Sequence, residues 1–247
     1  LIDEFAATGR VNLVTQYGSP FATLVIADLL GLPQKSRAFF RKVLQNIIPA
    51  EMGYEGKVDP SQAPFVEVGK HLFGQIARRR LLHHPLVAPI GRFFAGGPGR
   101  EDIMAELATA RFPDGSKPSL VDVTGLAAFL FGAGQDTTNR LLANCLKLIA
   151  TMPELQQRLR DEPARIPDFI EEVLRHEGSV KAGGRLCIKT VTLGGVEIKA
   201  GTVIMLSYMA ANRDPARFAD PAAFDIDRPK LKEHLGFGRG AHTCIGA

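Results

Sequence analysis

Phe237-Gly238-Arg239-Gly240-Ala241-His242-Thr243-Cys244-Ile245-Gly246-Ala247 is the stretch with the most specific chemistry in this chain. A single cysteine stands in a glycine-punctuated loop, with an aromatic, a guanidinium and an imidazole close by. Glycine takes positive φ without steric cost and lets a backbone come close to a large flat ligand. Backbone amides gathered around a sulfur lower its pKa and favour the thiolate, the form that binds metals. A thiolate in so open a loop suits a metal carried by a planar macrocycle. A cysteine standing alone reads first as a small buried hydrophobe. A zinc set is not completed, because His234 and His242 have neither a second cysteine pair nor a paired-histidine spacing beside them. No nucleophile–base pair accompanies the cysteine either.

The rest of the chain sets the context. It has 247 residues, 45% of them apolar and 23% charged, which is ordinary globular composition with room for one large core or two small ones. The net charge of +4 is spread along the chain without aromatic–basic interleaving, so nucleic-acid binding is not indicated. The run Arg78-Arg79-Arg80 reads as a helix end, where cations favour the macrodipole. Three widely spaced cysteines, Cys145, Cys187 and Cys244, form no disulfide framework and point to a reducing, cytoplasmic compartment. No run of apolar residues is long enough to cross a membrane. Leu1 is not a methionine and Ala247 falls just past the cysteine, so the chain is read as the central-to-late part of a longer protein, with any targeting segment unread.

Periodicity predicts helices broken by Gly/Pro punctuation through the first half. Pro20 to Leu30 is apolar on nearly every side and is closed by Gly31-Leu32-Pro33. Ser36 to Ile48 is helical up to Pro49, residues 49–62 form a polar connection, and Phe65 to Leu82 is a further amphipathic helix. A loop with Pro85, Pro89, Gly96, Gly97 and Pro98 leads to a helix near Glu101–Phe112. Ser119 then caps a long helix to about Ala150, with Asp122 at its third position. The period changes afterwards. Val191 to Leu193 and Val196 to Lys199 flank Gly194-Gly195 as a hairpin, and Val203 to Leu206 is another strand. The expected class is mainly α with small antiparallel β sheets.

Two helical segments carry unusual residues. Ala133-Gly134-Gln135-Asp136-Thr137-Thr138 lies mid-helix, where glycine costs about 1 kcal/mol against alanine. Thr137 can bond back to the Ala133 carbonyl and open a groove there. Glu172 and Arg175 stand at i, i+3 on one helix face, by itself a common surface pairing.

The order Phe-Gly-x-Gly-x-His-x-Cys-x-Gly resembles the haem-binding loop of the cytochrome P450 superfamily. Three upstream motifs follow in the order that family has them. The resemblance implies a partial haem-thiolate catalytic domain over 1–247, with haem b held by Cys244 as axial ligand. Phe237 would pack over the cysteine-side face beside Gly238, and Arg185 and His242 would pair with the propionates. Ala133 and Gly134 would leave room for dioxygen, Thr137 would donate a hydrogen bond to it, and Asp136 would help deliver protons. Glu172, Arg175 and Arg228 would form a structural set that fixes the loop leading to Cys244, using guanidinium geometry that lysine lacks.

Phe129, Gly132, Val180 and Lys181 are expected at the substrate pocket. Lys181 departs from the apolar or amide residue expected there, and either snorkels to solvent or pairs with a substrate carboxylate. The implied reaction is monooxygenation of a small apolar molecule by O2. Electrons would come from a ferredoxin- or flavodoxin-type donor with its reductase, docking near Lys230, Lys232 and Arg239. A haem-thiolate peroxygenase or isomerase would keep Cys244 without needing Asp136 and Thr137. A non-enzymatic haem-binding protein is a third class.

Overall fold

The computed structural model describes residues 1–40, 43, 64–84, 87 and 102–247. The connection expected over 49–62, the loop from Pro85 to Pro98 apart from Val87, Glu101 and the end of the 36–48 helix apart from Val43 lie outside the described residues. The chain divides into two compact units, Leu1–Asn139 and Arg140–Ala247.

In the first unit, α1 (Asp3–Ala6) and a π-helical turn (Leu13–Gly18) precede α2 (Ser19–Leu29). The π turn was not anticipated; Asn12 caps it by accepting from the amides of Val14 and Thr15. A short helical stretch at 36–40, α3 (Pro64–Leu82) and α4 (Ile103–Thr109) follow. The long helix α5 (Leu120–Thr151) contributes residues up to Asn139 to this unit. Its start is a closed capping box. The Asp122 amide donates to Ser119 Oγ at 3.0 Å, while the Ser119 amide and hydroxyl donate to Asp122 Oδ2 at 3.3 and 2.6 Å.

The core follows from helical spacing. Val68, Leu72 and Ile76 of α3, Val123, Ala127 and Phe131 of α5, and Met104 and Ala108 of α4 recur every fourth residue and meet Ala27, Leu30 and Phe40. Phe40 packs on Phe131 with ring centroids 4.8 Å apart. Gly31 ends α2 with φ of 72°, and a Cβ there would fall 2.2 Å from the Asp102 side chain. That close approach lets Arg79 donate to both Gly31 O (2.6 Å) and Asp102 Oδ2 (2.9 Å) while Asp102 caps α4 through the Ala105 amide.

The second unit begins with the rest of α5, then α6 (Pro153–Asp161), a 3₁₀ turn (Pro163–Arg165) and α7 (Ile166–Glu177). Prolines open α6 and α7 where a missing N–H costs nothing. Cys145, Leu155, Leu159, Phe169, Val173 and Ile226 form the core. The strands are β1 (Ala182–Leu186), β2 (Val191–Leu193), β3 (Val196–Ile198) and β4 (Val203–Ser207), followed by α8 (Tyr208–Ala211).

β2 and β3 are the anticipated hairpin, antiparallel with Leu193 opposite Val196. Gly194 and Gly195 both have positive φ, as its two-residue turn requires. β4 pairs instead with β1, Arg185 facing Ile204 and Gly184 facing Met205. So Arg185 lies within a strand that the sequence pattern does not mark, ahead of the hairpin. Ala-Gly-Gly-Arg-Leu has no β-branched residue, and only the partner strand makes it extended.

His71 supplies a pH test. Its ring stacks on Phe39 at 4.8 Å, and its Nε2 lies 2.8 Å from Ser36 Oγ. Burial pushes its pKa below the ordinary 6.5. The unfolded chain therefore takes up the proton first, and stability present above pH 6.5 is lost as pH falls through the folded value. Denaturant midpoints at pH 7.5 and 5 should drop on acidification, and drop less in His71→Asn; parallel pH curves for both proteins would contradict this.

Candidate functional site

The site in the second unit is built on one buried carboxylate. Glu172, on α7, is 0% exposed and Arg175 one turn on is 1% exposed. Arg175 grips the carboxylate through two 2.7 Å bonds, from Nε to Oε2 and from Nη2 to Oε1. Its other hydrogens go to the carbonyls of Asn212 (3.0 Å), Pro221 (2.9 Å) and Ala223 (2.9 Å). Arg228 reaches Oε1 at 3.3 Å and also donates to the carbonyls of Ala219, Asp220 and Ala223. The Asp225 amide adds a 3.0 Å bond to the same carboxylate. The structure thus brings Glu172, Arg175 and Arg228 together as one network, and a segment without regular structure is wrapped around it.

From this network the chain runs to the cysteine loop. Asn212, 3% exposed, accepts from the Leu235 amide at 2.7 Å. Buried His234 joins Glu171 Oε2 at 2.8 Å through Nε2, and Gly236 N–H through Nδ1 at 2.9 Å. Its ring tilts against Phe237 with centroids 5.9 Å apart. The loop closes when Cys244 N–H donates to Phe237 O at 2.9 Å, with Thr243 N–H on Gly240 O at 3.0 Å. Gly238 (φ 67°) and Gly240 (φ 87°) occupy conformations that side chains resist.

The three thiols have different surroundings. Cys145 is buried, which pushes its thiol up to about 11 and keeps it protonated. Cys187 is buried and donates to Lys189 O at 3.0 Å. Cys244 is exposed, with exposed Ile245 beside it and space over Gly246, where an added Cβ would lie 3.8 Å from its sulfur. Arg185 and His242 are exposed, and neither pairs with a carboxylate among the described residues. Leu186 and Met205, on β1 and β4, also present apolar side chains outward.

An accessible lone thiol, open space at its glycines, and an arginine and a histidine without carboxylate partners fit a flat apolar macrocycle bearing carboxylates. Among the described residues no three His, Cys, Asp or Glu side chains converge, so a metal at Cys244 would bring most of its ligands with it. Val180 and Lys181 are exposed just ahead of β1.

The remaining expected residues lie on α5 in the first unit. Thr137 Oγ1 donates to Ala133 O at 2.7 Å, the back-bond its position suggested. Asp136 is half-buried, Ala133 is exposed, and Phe129 is 67% exposed one turn before it. Gly132 is half-buried. Gly134 has a packing role within its unit, because a Cβ there would meet Ile26 Cδ1 at 2.9 Å.

Sequence reading did not anticipate Glu171, Asn212 or Asp225, and considered His234 only as a zinc ligand. These residues reach distant partners across 23 to 63 positions of sequence, and no local spacing marks them.

Residues 99–247 match the family description Cytochrome P450. The chain is 30% identical to Cytochrome P450 CYP107DY1 of Priestia megaterium over all of its own length and 56% of that protein. It is 32% identical to Cytochrome P450 monooxygenase PikC of Streptomyces venezuelae, covering 55% of it. The substrate-free structure of Mycobacterium marinum cytochrome P450 CYP150A6 superposes with a TM-score of 0.82 at 41% identity, over the whole chain and 53% of that structure. The chain therefore spans about half the length of the relatives it matches.

The network around Glu172 predicts a hierarchy. Arg175→Lys supplies one ammonium where a fork serves two carboxylate oxygens and three carbonyls, and should lower stability by about 3 kcal/mol or more. Arg228→Lys, where the guanidinium makes one 3.3 Å contact to Glu172 against Arg175's two at 2.7 Å, should cost less. Urea unfolding of both variants checks the order; equal losses would contradict it.

Proposed function

This chain belongs to the cytochrome P450 family, and from that premise we propose that the protein is a haem-thiolate monooxygenase acting on a small apolar substrate. The observation that carries the proposal is Cys244: the one exposed thiol, in a closed glycine loop docked on a buried ion network.

The net reaction balances as substrate C–H, O2, two electrons and two protons giving C–OH and water. Haem b, when bound, would supply the redox-active iron, tuned by electron donation from a thiolate. Cys244 would be that ligand. Phe237 and Gly238 would line the face next to the sulfur, and Arg185 and His242 would hold the two carboxylates by charge-assisted bonds. Ala133 and Gly134 would keep the helix surface small where dioxygen must fit.

Thr137 and Asp136 would handle the protons. The Thr137 hydroxyl, which donates to Ala133 O, would exchange that bond for one to dioxygen. Asp136, one residue away, would help relay protons to it, its carboxylate accepting a proton from solvent and passing it on. Phe129, Gly132, Val180 and Lys181 would contact substrate. Phe129 and Val180 expose apolar surface suited to an apolar molecule, and exposed Lys181 keeps its ammonium in solvent.

The electrons would come from a separate ferredoxin- or flavodoxin-type donor with its reductase. Exposed Lys230, Lys232 and Arg239 give such an acidic partner a cationic approach. No helix among the described residues is long and apolar enough to cross a membrane. Three unpaired cysteines agree with a reducing cytoplasmic setting.

Two measurements on the full-length haem-loaded protein test this reading. The reduced carbon monoxide complex should show the strongly red-shifted Soret band of thiolate ligation, and Cys244→His should abolish it; a band indifferent to that change removes the ligand assignment. Thr137→Ala should lower hydroxylated product per electron consumed by roughly ten- to a hundredfold while oxygen uptake continues. Unchanged coupling would favour a reaction that does not need the acid–alcohol pair.

A further inference from the structure

We propose that His234 is a positioning residue for Cys244, acting through the backbone amide of Gly236. The inference rests on the reading of Cys244 as the thiolate ligand.

The ring is held at both nitrogens. Gly236 N–H is a donor, so Nδ1 must accept from it at 2.9 Å. Nε2 then carries the hydrogen and donates it to Glu171 Oε2 at 2.8 Å. The His234 side chain is 2% exposed and that of Glu171 22% exposed, so the inner bond is shielded from water while its anchor stands at the edge. A polar ring this deeply buried is stable only while its partners stay in place.

The site of attachment matters. Gly236 precedes Phe237, whose carbonyl receives the Cys244 amide at 2.9 Å. Gly236 also approaches α7 closely. An added Cβ would lie 3.0 Å from His234 Nδ1 and 3.2 Å from Leu174 O. The preceding amide, Leu235 N–H, is captured by Asn212 Oδ1 at 2.7 Å. Two successive amides at the entrance of the loop are therefore bound by side chains rather than by the loop itself. The loop's own bonds close it on itself, whereas the buried His234 ring holds its entrance amide from outside the loop. Freed from His234, the stretch from Gly236 to Cys244 keeps its internal shape and loses a fixed point at its entrance.

Glu171 acts at one remove. It selects the tautomer that leaves Nδ1 available to Gly236, so its loss should matter less than loss of Nδ1.

Two isosteric substitutions separate the contacts. His234→Asn places an amide oxygen where Nδ1 stood and keeps the Gly236 bond. His234→Gln places an amide nitrogen near the Nε2 position and keeps the Glu171 bond alone. The full-length protein, loaded with haem, would be examined by its reduced carbon monoxide spectrum and by hydrogen exchange of the 234–244 segment. In His234→Gln, that segment should exchange on the order of tenfold faster, the loss of one buried hydrogen bond. The thiolate-type share of bound haem should fall with it, at unchanged haem content. His234→Asn should resemble the wild type in both.

Equal behaviour of the two variants, or greater damage in His234→Asn, would overturn the assignment. If neither variant folds, Glu171→Leu decides: the assignment predicts a retained loop, and a loop that exchanges as fast as the unfolded chain refutes it. Exchange is read without reference to the thiolate. A wild-type protein lacking the thiolate band would thus remove the ligand reading while the exchange data still judged His234.

Discussion

The fully buried side chain of Glu172 needs donors around both oxygens, and that constraint organises the second unit. A buried carboxylate carries a desolvation cost of several kcal/mol, recovered only with near-ideal geometry. Here two guanidiniums and a backbone amide supply it. Those guanidiniums have hydrogens left over, and they place them on the carbonyls of residues 212, 219, 220, 221 and 223. Carbonyls of an irregular segment have no ladder to join. The ion network and the irregular segment therefore satisfy each other, and neither would be stable alone.

The same segment is tied to the entrance of the cysteine loop. Asn212 contributes its carbonyl to Arg175 and its side chain to Leu235, so one residue belongs to both the ion network and the loop entrance. Placement of the thiol is thus inherited from α7 through short, directional contacts. Its openness is a separate matter. Cys145 and Cys244 are chemically identical side chains, yet burial raises the pKa of one and exposure leaves the other accessible. Reactivity at Cys244 is a property of its surroundings.

On α5, local cost and packing gain are balanced within the first unit. Gly134 weakens a helix by about 1 kcal/mol, and Ile26 occupies the space it vacates. Thr137 spends its hydroxyl on the preceding turn, loosening the ladder where a polar group is wanted. A helix with these residues is tolerated because Val123, Ala127 and Phe131 bury its other face.

Much of this was legible from the chain alone. Period and punctuation located α2, α3 and α5, the Ser119 capping box and the Gly194-Gly195 hairpin, because each depends on neighbours within a few positions. The identity of Cys244, Glu172 and Arg175 was legible through motif resemblance, and the pairing of Arg228 with Glu172 was suggested by it. Invisible to local reading were β1, whose glycines have no strand preference of their own, and the roles of Glu171, Asn212 and His234. Those depend on which distant segments meet, and a hydrogen bond spanning 63 residues leaves no local pattern. Residue chemistry and short-range periodicity were determined by the sequence itself; burial, tautomer and register were decided by tertiary contact, because each is set by atoms that adjoin in space and not along the chain.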